Sequence, residues 1–158
     1  MAPATDTRET VSISAAILAD IERRAADSAP LEACGLLVGS RTAGGYRITR
    51  AVASRNLAAS PDRFEVDPLL QLEWQKRLRG TGEAVIGHYH SHPKGPAEPS
   101  ARDIDDAHDP ELLWLICRAG EPGSSRAFII SRGDGKAVEV KLNQDKADAG
   151  EREGEGEL

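Results

Sequence analysis

The stretch Ala84-Val-Ile-Gly-His-Tyr-His-Ser-His-Pro93 decides how this sequence folds. Its apolar start and aromatic centre predict a β-strand, and the Pro/Gly-rich segment that follows through Pro99 predicts a loop. Side chains alternate between the two faces of a strand, so His88, His90 and His92 are expected to share one face. Three imidazoles on one face are hard to explain as core packing. Two histidines two residues apart on a strand can instead bind a borderline metal such as zinc.

A catalytic metal site needs a third protein ligand, with one coordination position left open. The acidic candidates that follow the histidines are Glu98, Asp103, Asp105 and Asp106. Asp103 lies one turn into a short helix predicted from Ser100 to about His108, and the preceding loop can fold that helix back against the strand end. The pattern Ser-x-x-Asp on its own indicates a capping box. Beside the histidines, the metal-site interpretation of Ser100 and Asp103 is favoured.

The rest of the chain alternates helical and strand patterns. A helix is predicted from Ser12 or Ser14 to Pro30, and a second one begins at the Asp67-Pro68 pair. The further predicted strands lie at 34–39, 46–52, 112–117, 126–130 and 137–142, and Arg132-Gly-Asp-Gly predicts the turn between the last two. This order is typical of an α/β layered domain with a mixed sheet.

Length and charge indicate one soluble domain with flexible ends. The 158 residues carry 20 Lys+Arg against 26 Asp+Glu, a net charge of −6. Residues 143–158 hold about −4 of that charge and lack apolar periodicity, so we expect an acidic disordered tail there. Residues 1–10 are expected to form a flexible leader, and residues 11–142 the folded domain.

Composition also excludes several classes of protein. The longest wholly apolar run, Leu112–Cys117, is far too short to span a bilayer, and no secretory signal is visible at the N-terminus. The two cysteines, Cys34 and Cys117, lie in apolar runs and are expected to be buried thiols. We therefore expect a cytoplasmic protein that does not associate with a membrane. The acidic charge and the lack of a basic patch argue against nucleic acid as a partner.

The spacing His90-x-His92, seven residues, Ser100, two residues, Asp103 resembles the HxH-x7-S-x2-D motif of the JAMM (MPN+) metalloproteases. The register selects the second and third histidines, because pairing His88 with His90 would require serine at position 98. Three other segments of the sequence resemble the family too. They are Gly87–Pro93, Leu31–Gly39, and Asn56 together with Arg63–Pro68.

The resemblance covers roughly residues 12–142 and implies a fold, a function and a site. The fold is a layered α-β-α sandwich with a mixed, curved β-sheet, similar to that of cytidine deaminases. His90, His92 and Asp103 would bind Zn²⁺, Glu32 would move a proton between water and the leaving amine, and Ser100 would stabilise the developing oxyanion. Among 26 acidic residues, only the resemblance selects Glu32.

The implied function is zinc-dependent hydrolysis of a peptide or isopeptide bond. The short connections around the motif resemble those of compact bacterial members, some of which release an amino acid such as cysteine from the Gly-Gly tail of a sulfur-carrier protein. We therefore expect a small ubiquitin-like (β-grasp) carrier, or its conjugate, as the substrate; the oligomeric state is left open.

Two other functions fit the sequence less well. A non-catalytic MPN scaffold is disfavoured because the four motif residues (His90, His92, Ser100 and Asp103) and Glu32 are all kept. A zinc deaminase requires His-x-Glu and Pro-Cys-x-x-Cys sequences, which are absent. His88, on the same face as the ligands, is either a residue that contacts the site or an inert, partly exposed histidine.

Overall fold

A computed structural model describes residues 4–58, 60–131 and 135–145. Most of the expected acidic tail and three residues of the Arg132-Gly-Asp-Gly turn lie outside these ranges. In the described part, seven strands and three helices follow one another along the chain. They are β1 (Ala4–Ser14), α1 (Ala15–Ser28), β2 (Cys34–Thr42), β3 (Gly45–Ser54), α2 (Pro68–Arg77), β4 (Ala84–His92), α3 (Ala101–Asp106), β5 (Leu113–Arg118), β6 (Arg126–Ile130) and β7 (Ala137–Asp145).

The N-terminal strand β1 corrects the boundary expected from the sequence. The sequence predicts a flexible leader over residues 1–10, but the structure has a strand from Ala4 onward, which pairs in parallel with β7. Its neighbours β7 and β3 come much later in the chain, so the hydrogen bonds that form it are long-range and leave no local signal. At the other end, β7 continues to Asp145, three residues beyond the expected end of the domain.

The strands form one mixed sheet in the order β1-β3-β2-β4-β5-β6-β7. Strand β1 pairs with both β3 and β7, so the sheet curves round and closes on itself. The pairs β4–β5, β1–β3 and β1–β7 are parallel, and the remaining pairs are antiparallel. The expected α/β class with a mixed, curved sheet is confirmed.

Helices cover both faces of this sheet. Helix α1 begins at Ser14, whose side chain accepts a hydrogen bond from the Ile17 amide, and its apolar side packs against one face of the sheet. Helix α2 begins at the predicted Asp67 cap and buries Trp74 against the opposite face. Both helix starts agree with the sequence patterns, and the sheet is the middle layer between α1 and α2.

Strand β4 lies in the middle of the sheet, between β2 and β5. Its register places His90 opposite Cys34 on β2 and opposite Ile116 on β5. The histidines alternate with Tyr89, which packs in the core on the α1 side, so they lie on the face that carries α2 and α3. The start of β2 is thereby held beside the end of β4.

Among the described residues, no helix is both long enough and apolar enough to cross a membrane.

Candidate metal centre

Three side chains from β4 and α3 converge on one point. His90 Nε2 lies 3.2 Å and His92 Nε2 3.1 Å from Asp103 Oδ2, and the two Nε2 atoms are 3.1 Å apart. All three residues are buried, His90 completely. Within the described chain, this is the group of His, Cys, Asp and Glu side chains whose atoms are close enough to share a metal ion.

The arrangement of these atoms fits a cation. His92 Nδ1 lies 2.8 Å from the carbonyl oxygen of Pro96, so Nδ1 carries the proton and donates it. The Nε2 lone pair of the neutral ring then points at the Asp103 carboxylate, which is also an acceptor. Facing acceptors repel unless a cation lies between them. A tetrahedral zinc with bonds of about 2.0–2.1 Å separates its ligands by about 3.3–3.4 Å, close to the spacing in the structure.

The N-terminus of α3 holds Asp103 in place. Ser100 Oγ accepts a hydrogen bond from the Asp103 amide at 3.0 Å, and Asp103 Oδ2 accepts one from the Ser100 amide at 2.9 Å. This is the capping box that the sequence indicates, and it coexists with the convergence on the histidines. Because Ser100 Oγ acts as an acceptor in the cap, its hydroxyl proton is free to be donated to another group.

The pKa shifts of Asp103 and His90 suit metal binding, whereas that of His92 favours a proton in the place of the metal. Burial by itself would raise the pKa of Asp103, but hydrogen bonds with His90 and His92 hold that pKa well below its usual range. Burial lowers the pKa of His90, which favours the neutral imidazole that a metal requires. For His92, burial opposes protonation, but the contacts with Asp103 and Pro96 raise the pKa overall.

Glu32 lies next to this centre, just before β2. It is 5% exposed, and its Oε1 atom is buried without a hydrogen-bond partner among the described residues. Burial raises the pKa of Glu32 to about 7, with further upward contributions from the charges of Asp103 and Asp62 and a downward one from His92. A carboxyl group with such a pKa can exchange protons near neutral pH.

Comparison with known proteins places the chain in a family. The family model described as prokaryotic homologs of the JAB domain matches residues 14–131. The chain belongs to this family. A desampylase from Haloferax volcanii is 35% identical over 102 residues, covering 64% of this chain and 72% of the relative. A probable TtuB-protein conjugate cleaving protease from Thermus thermophilus is 36% identical over 115 residues, covering 71% and 70%.

A solved structure agrees with the fold as well. The solution structure of protein DSY2949 from Desulfitobacterium hafniense matches with a TM-score of 0.77 and 32% identity, over 87% of this chain and 94% of that one. These likenesses confirm the resemblance drawn from the motif, the fold that it implies, and the class of enzyme, a peptidase of the JAB family.

Two further residues, Ser91 and Asn56, hold the backbone of Glu32 and of its neighbour Ala33. Ser91 is fully buried, and its Oγ accepts a hydrogen bond from the Ala33 amide at 2.8 Å, while the Ser91 amide donates to the Ala33 carbonyl. Asn56 Nδ2 donates to the Glu32 carbonyl at 3.1 Å and to the Arg63 carbonyl at 3.0 Å. Sequence reasoning missed Ser91, although a serine in a buried strand beside two metal ligands was a usable signal.

Aromatic contacts hold His90 and explain the place of His88. The Phe64 ring stacks on the His90 ring with centroids 4.1 Å apart and an interplanar angle of 14°. His88 packs against the edge of Trp114 with centroids 4.3 Å apart, and burial lowers its pKa to about 3. His88 is therefore neutral and lies beside the ligand set, and its Nδ1 atom is buried without a partner.

The other acidic candidates are not brought to the centre. Glu98 lies 2.9 Å from Arg126 and pairs with it. Asp105 and Asp106 are exposed on α3. Of the four carboxylates considered, the structure brings Asp103 to the histidines.

Two concave surfaces flank the three converging side chains. The first, which we call the groove, has a volume of about 400 Å³, and its walls include Leu36, Phe64, His88 and Trp114. The second, which we call the cleft, has a volume of about 1140 Å³ and is lined by Glu32, His92 and Ser100, together with five prolines. These prolines are Pro30, Pro61, Pro93, Pro96 and Pro99.

Proposed function

We propose that the protein is a zinc-dependent isopeptidase or peptidase that cleaves the bond after the C-terminal Gly-Gly of a small ubiquitin-like carrier. The observation that carries the proposal is the convergence of His90 Nε2, His92 Nε2 and Asp103 Oδ2 within 3.1–3.2 Å of one another. The desampylase and TtuB-conjugate protease relatives support a carrier conjugate as the substrate. Zinc is the metal that suits two imidazoles and one carboxylate with an open position.

His90, His92 and Asp103 would hold the zinc ion, which when bound supplies a Lewis acid that polarises the scissile carbonyl and acidifies an attacking water. Glu32 takes the proton of that water at Oε1 and returns it to the leaving nitrogen. Ser100 donates its hydroxyl proton to the negative charge that develops on the carbonyl oxygen. The Pro96 carbonyl keeps His92 in the tautomer that presents Nε2.

The position of Glu32 gives the direction in which the substrate binds. The residue that protonates the leaving nitrogen must lie on the leaving-group side of the scissile bond, and Glu32 lines the cleft. The leaving group therefore occupies the cleft, and the carrier tail runs along the groove. A Gly-Gly end suits this path because its backbone can pass close to the Phe64 and His88 rings.

Replacing Glu32 by glutamine separates metal binding from catalysis. We expect Glu32→Gln to keep about one zinc per chain and to lower kcat/KM at least about 100-fold, because proton transfer by a positioned group contributes 10²–10⁴-fold. Hydrolysis is followed by mass spectrometry on a β-grasp carrier ending in Gly-Gly, joined either to a lysine side chain or to cysteine. Glu73→Gln, at an exposed position on α2 that lines neither the groove nor the cleft, is the matched control.

Two results would contradict the proposal. Full activity of Glu32→Gln would show that another group moves the proton. Full retention of zinc by His92→Ala would show that the metal binds elsewhere. A substrate in which Gly-Gly is replaced by Ala-Ala tests the carrier tail, and equal cleavage of both substrates would exclude the proposed path along the groove.

A further inference from the structure

An ion-pair network lies outside the metal centre, at the edge of the cleft. Arg126, at the start of β6, donates from Nε and Nη2 to the two carboxylate oxygens of Glu139 on β7, at 2.9 and 2.7 Å. Its Nη1 donates to Glu98 Oε2 at 2.9 Å. The guanidinium also lies over the Phe128 ring, 5.3 Å from its centroid. Arg126 is therefore fixed to the sheet by Glu139 and Phe128, and its remaining edge holds Glu98.

Glu98 belongs to the segment 93–99, which we call the proline loop and which joins His92 to α3. Ala97 in this loop is buried in the cluster that contains Trp114 and Phe128. Next to it, the exposed Pro96 supplies the carbonyl that accepts the His92 Nδ1 proton. The residue that orients His92 is thus two positions from the one held by Arg126.

The geometry points to Arg126 as a positioning residue, which holds Glu98 and thereby keeps the Pro96 carbonyl where it fixes the His92 ring. An isolated ion pair at a surface contributes little, but a bidentate arginine pair within a network is the exception. The hydrogen-bonded ion pair raises the pKa of Arg126 and lowers that of Glu139, because each charge stabilises the other. No motif position includes Arg126 or Glu98.

The metal-free protein gives a readout that does not depend on the proposed function. With zinc removed by a chelator, the exchange of the His92 Nδ1 proton with water is measured by NMR. We expect Arg126→Ala and Glu98→Ala to accelerate this exchange to a similar extent. Arg77→Ala, which removes an exposed arginine paired with Glu73 on α2, is the matched control and should leave the exchange unchanged.

Zinc affinity, measured by competition with a chelating dye, is the second readout. Loss of a group that orients a metal ligand costs about 10–100-fold in affinity, and we expect the lower end of this range, about tenfold, for Arg126→Ala and for Glu98→Ala. Since Arg126 is argued to act through Glu98, the double variant should lose no more than either single variant. Arg126→Lys should behave like Arg126→Ala, because one ammonium group cannot reach both glutamates in the same geometry.

The outcomes separate this inference from the proposed function. Unchanged His92 exchange and zinc affinity in both single variants would overturn it, as would independent, multiplicative effects in the double variant. If Arg126→Ala fails to fold, Glu98→Ala still tests the same link, because the Glu98 side chain is 44% exposed. If the unmodified protein binds no zinc but both variants accelerate the exchange, the inference on Arg126 holds and the proposed function fails.

Discussion

At the scale of single residues, burial raises the pKa of Glu32 and also lowers the free energy of unfolding of the metal-free protein. Its Oε1 atom is buried without a partner, and its charged form is close to the Asp103 carboxylate that faces the histidines. The same burial that raises the pKa of Glu32 to about 7 makes it a better proton acceptor at neutral pH than an exposed glutamate. A buried carboxylate of this kind is expected, when it is ionised, to destabilise the folded state of the metal-free protein.

The pH dependence of stability tests this trade-off. The pKa of Glu32 rises from 4.5 to about 7 on folding, so the folded state binds more protons between these values and the free energy of unfolding falls as pH rises through them. Glu32→Gln removes the effect. We expect the metal-free variant to be more stable than the unmodified protein by about 1–2 kcal/mol at pH 8, a discounted value because the side chain borders the open cleft. Below pH 4 the difference should vanish.

Urea unfolding in the presence of a chelator measures this difference at both pH values. The low pKa of Asp103 also makes stability depend on pH, but in acid, and it is common to both proteins and cancels in the comparison. Glu73→Gln again serves as the control, for the effect of replacing an exposed carboxylate by an amide. A metal-free Glu32→Gln that is no more stable than the unmodified protein at pH 8 would mean that Glu32 is not desolvated in solution.

At the scale of elements, the pairing of β2 with β4 brings Glu32 to the histidines. Gly35 lies opposite Tyr89 in this pair, and the strands approach closely there. A Cβ atom built on Gly35 would lie 2.2 Å from the Val52 carbonyl oxygen and 2.4 Å from the Tyr89 ring. Glycine at position 35 therefore leaves room for the Tyr89 ring and for the β3 backbone next to the start of β2, which follows Glu32.

We expect Gly35→Ala to destabilise the protein by about 3 kcal/mol, at the upper end for overpacked positions, because one of the atoms it meets belongs to the backbone and cannot rotate away. Thermal unfolding followed by circular dichroism measures the change. Gly44→Ala is the matched control, since a Cβ atom there meets nothing within 4 Å, and it should be nearly neutral. Equal unfolding temperatures for the two variants would show that the packing of Val52 and Tyr89 around Gly35 is looser in solution.

The local features of the site can be predicted from the sequence, but the long-range contacts that support it cannot. His90, His92, Ser100 and Asp103 lie on one strand and one helix start, and the resemblance of their spacing to the JAMM motif selected them from the other candidates. Strand β1 was missed because its hydrogen bonds go to strands distant in the chain. The supporting contacts of Ser91, Asn56, Phe64 and Arg126 were missed for the same reason, since each depends on a partner that only the folded sheet brings near.

At the scale of the whole molecule, the candidate metal centre brings together parts of the chain that the sheet alone does not hold together. His90 and His92 belong to the middle of the sheet, whereas Asp103 belongs to the six-residue helix α3. The nearest apolar contacts of that helix come from the partly buried Ile104 and the buried Ala107 that follows it. A bound zinc ion would fix α3 to β4 through Asp103, and its removal would loosen α3, while the contacts of Glu98 and Ala97 still hold the proline loop.

Chelation is therefore expected to lower the unfolding temperature of the whole domain. A ligand present at about 1,000 times its dissociation constant stabilises the folded state by about 4 kcal/mol, which corresponds to a shift of about 8–16 °C for a chain of this length. Differential scanning calorimetry with zinc, and again after dialysis against a chelator, measures this shift. His92→Ala, which lacks one ligand, should melt near the temperature of the chelated protein and should not respond to zinc. An unmodified protein that melts at the same temperature in both buffers would show that no zinc ion joins β4 to α3.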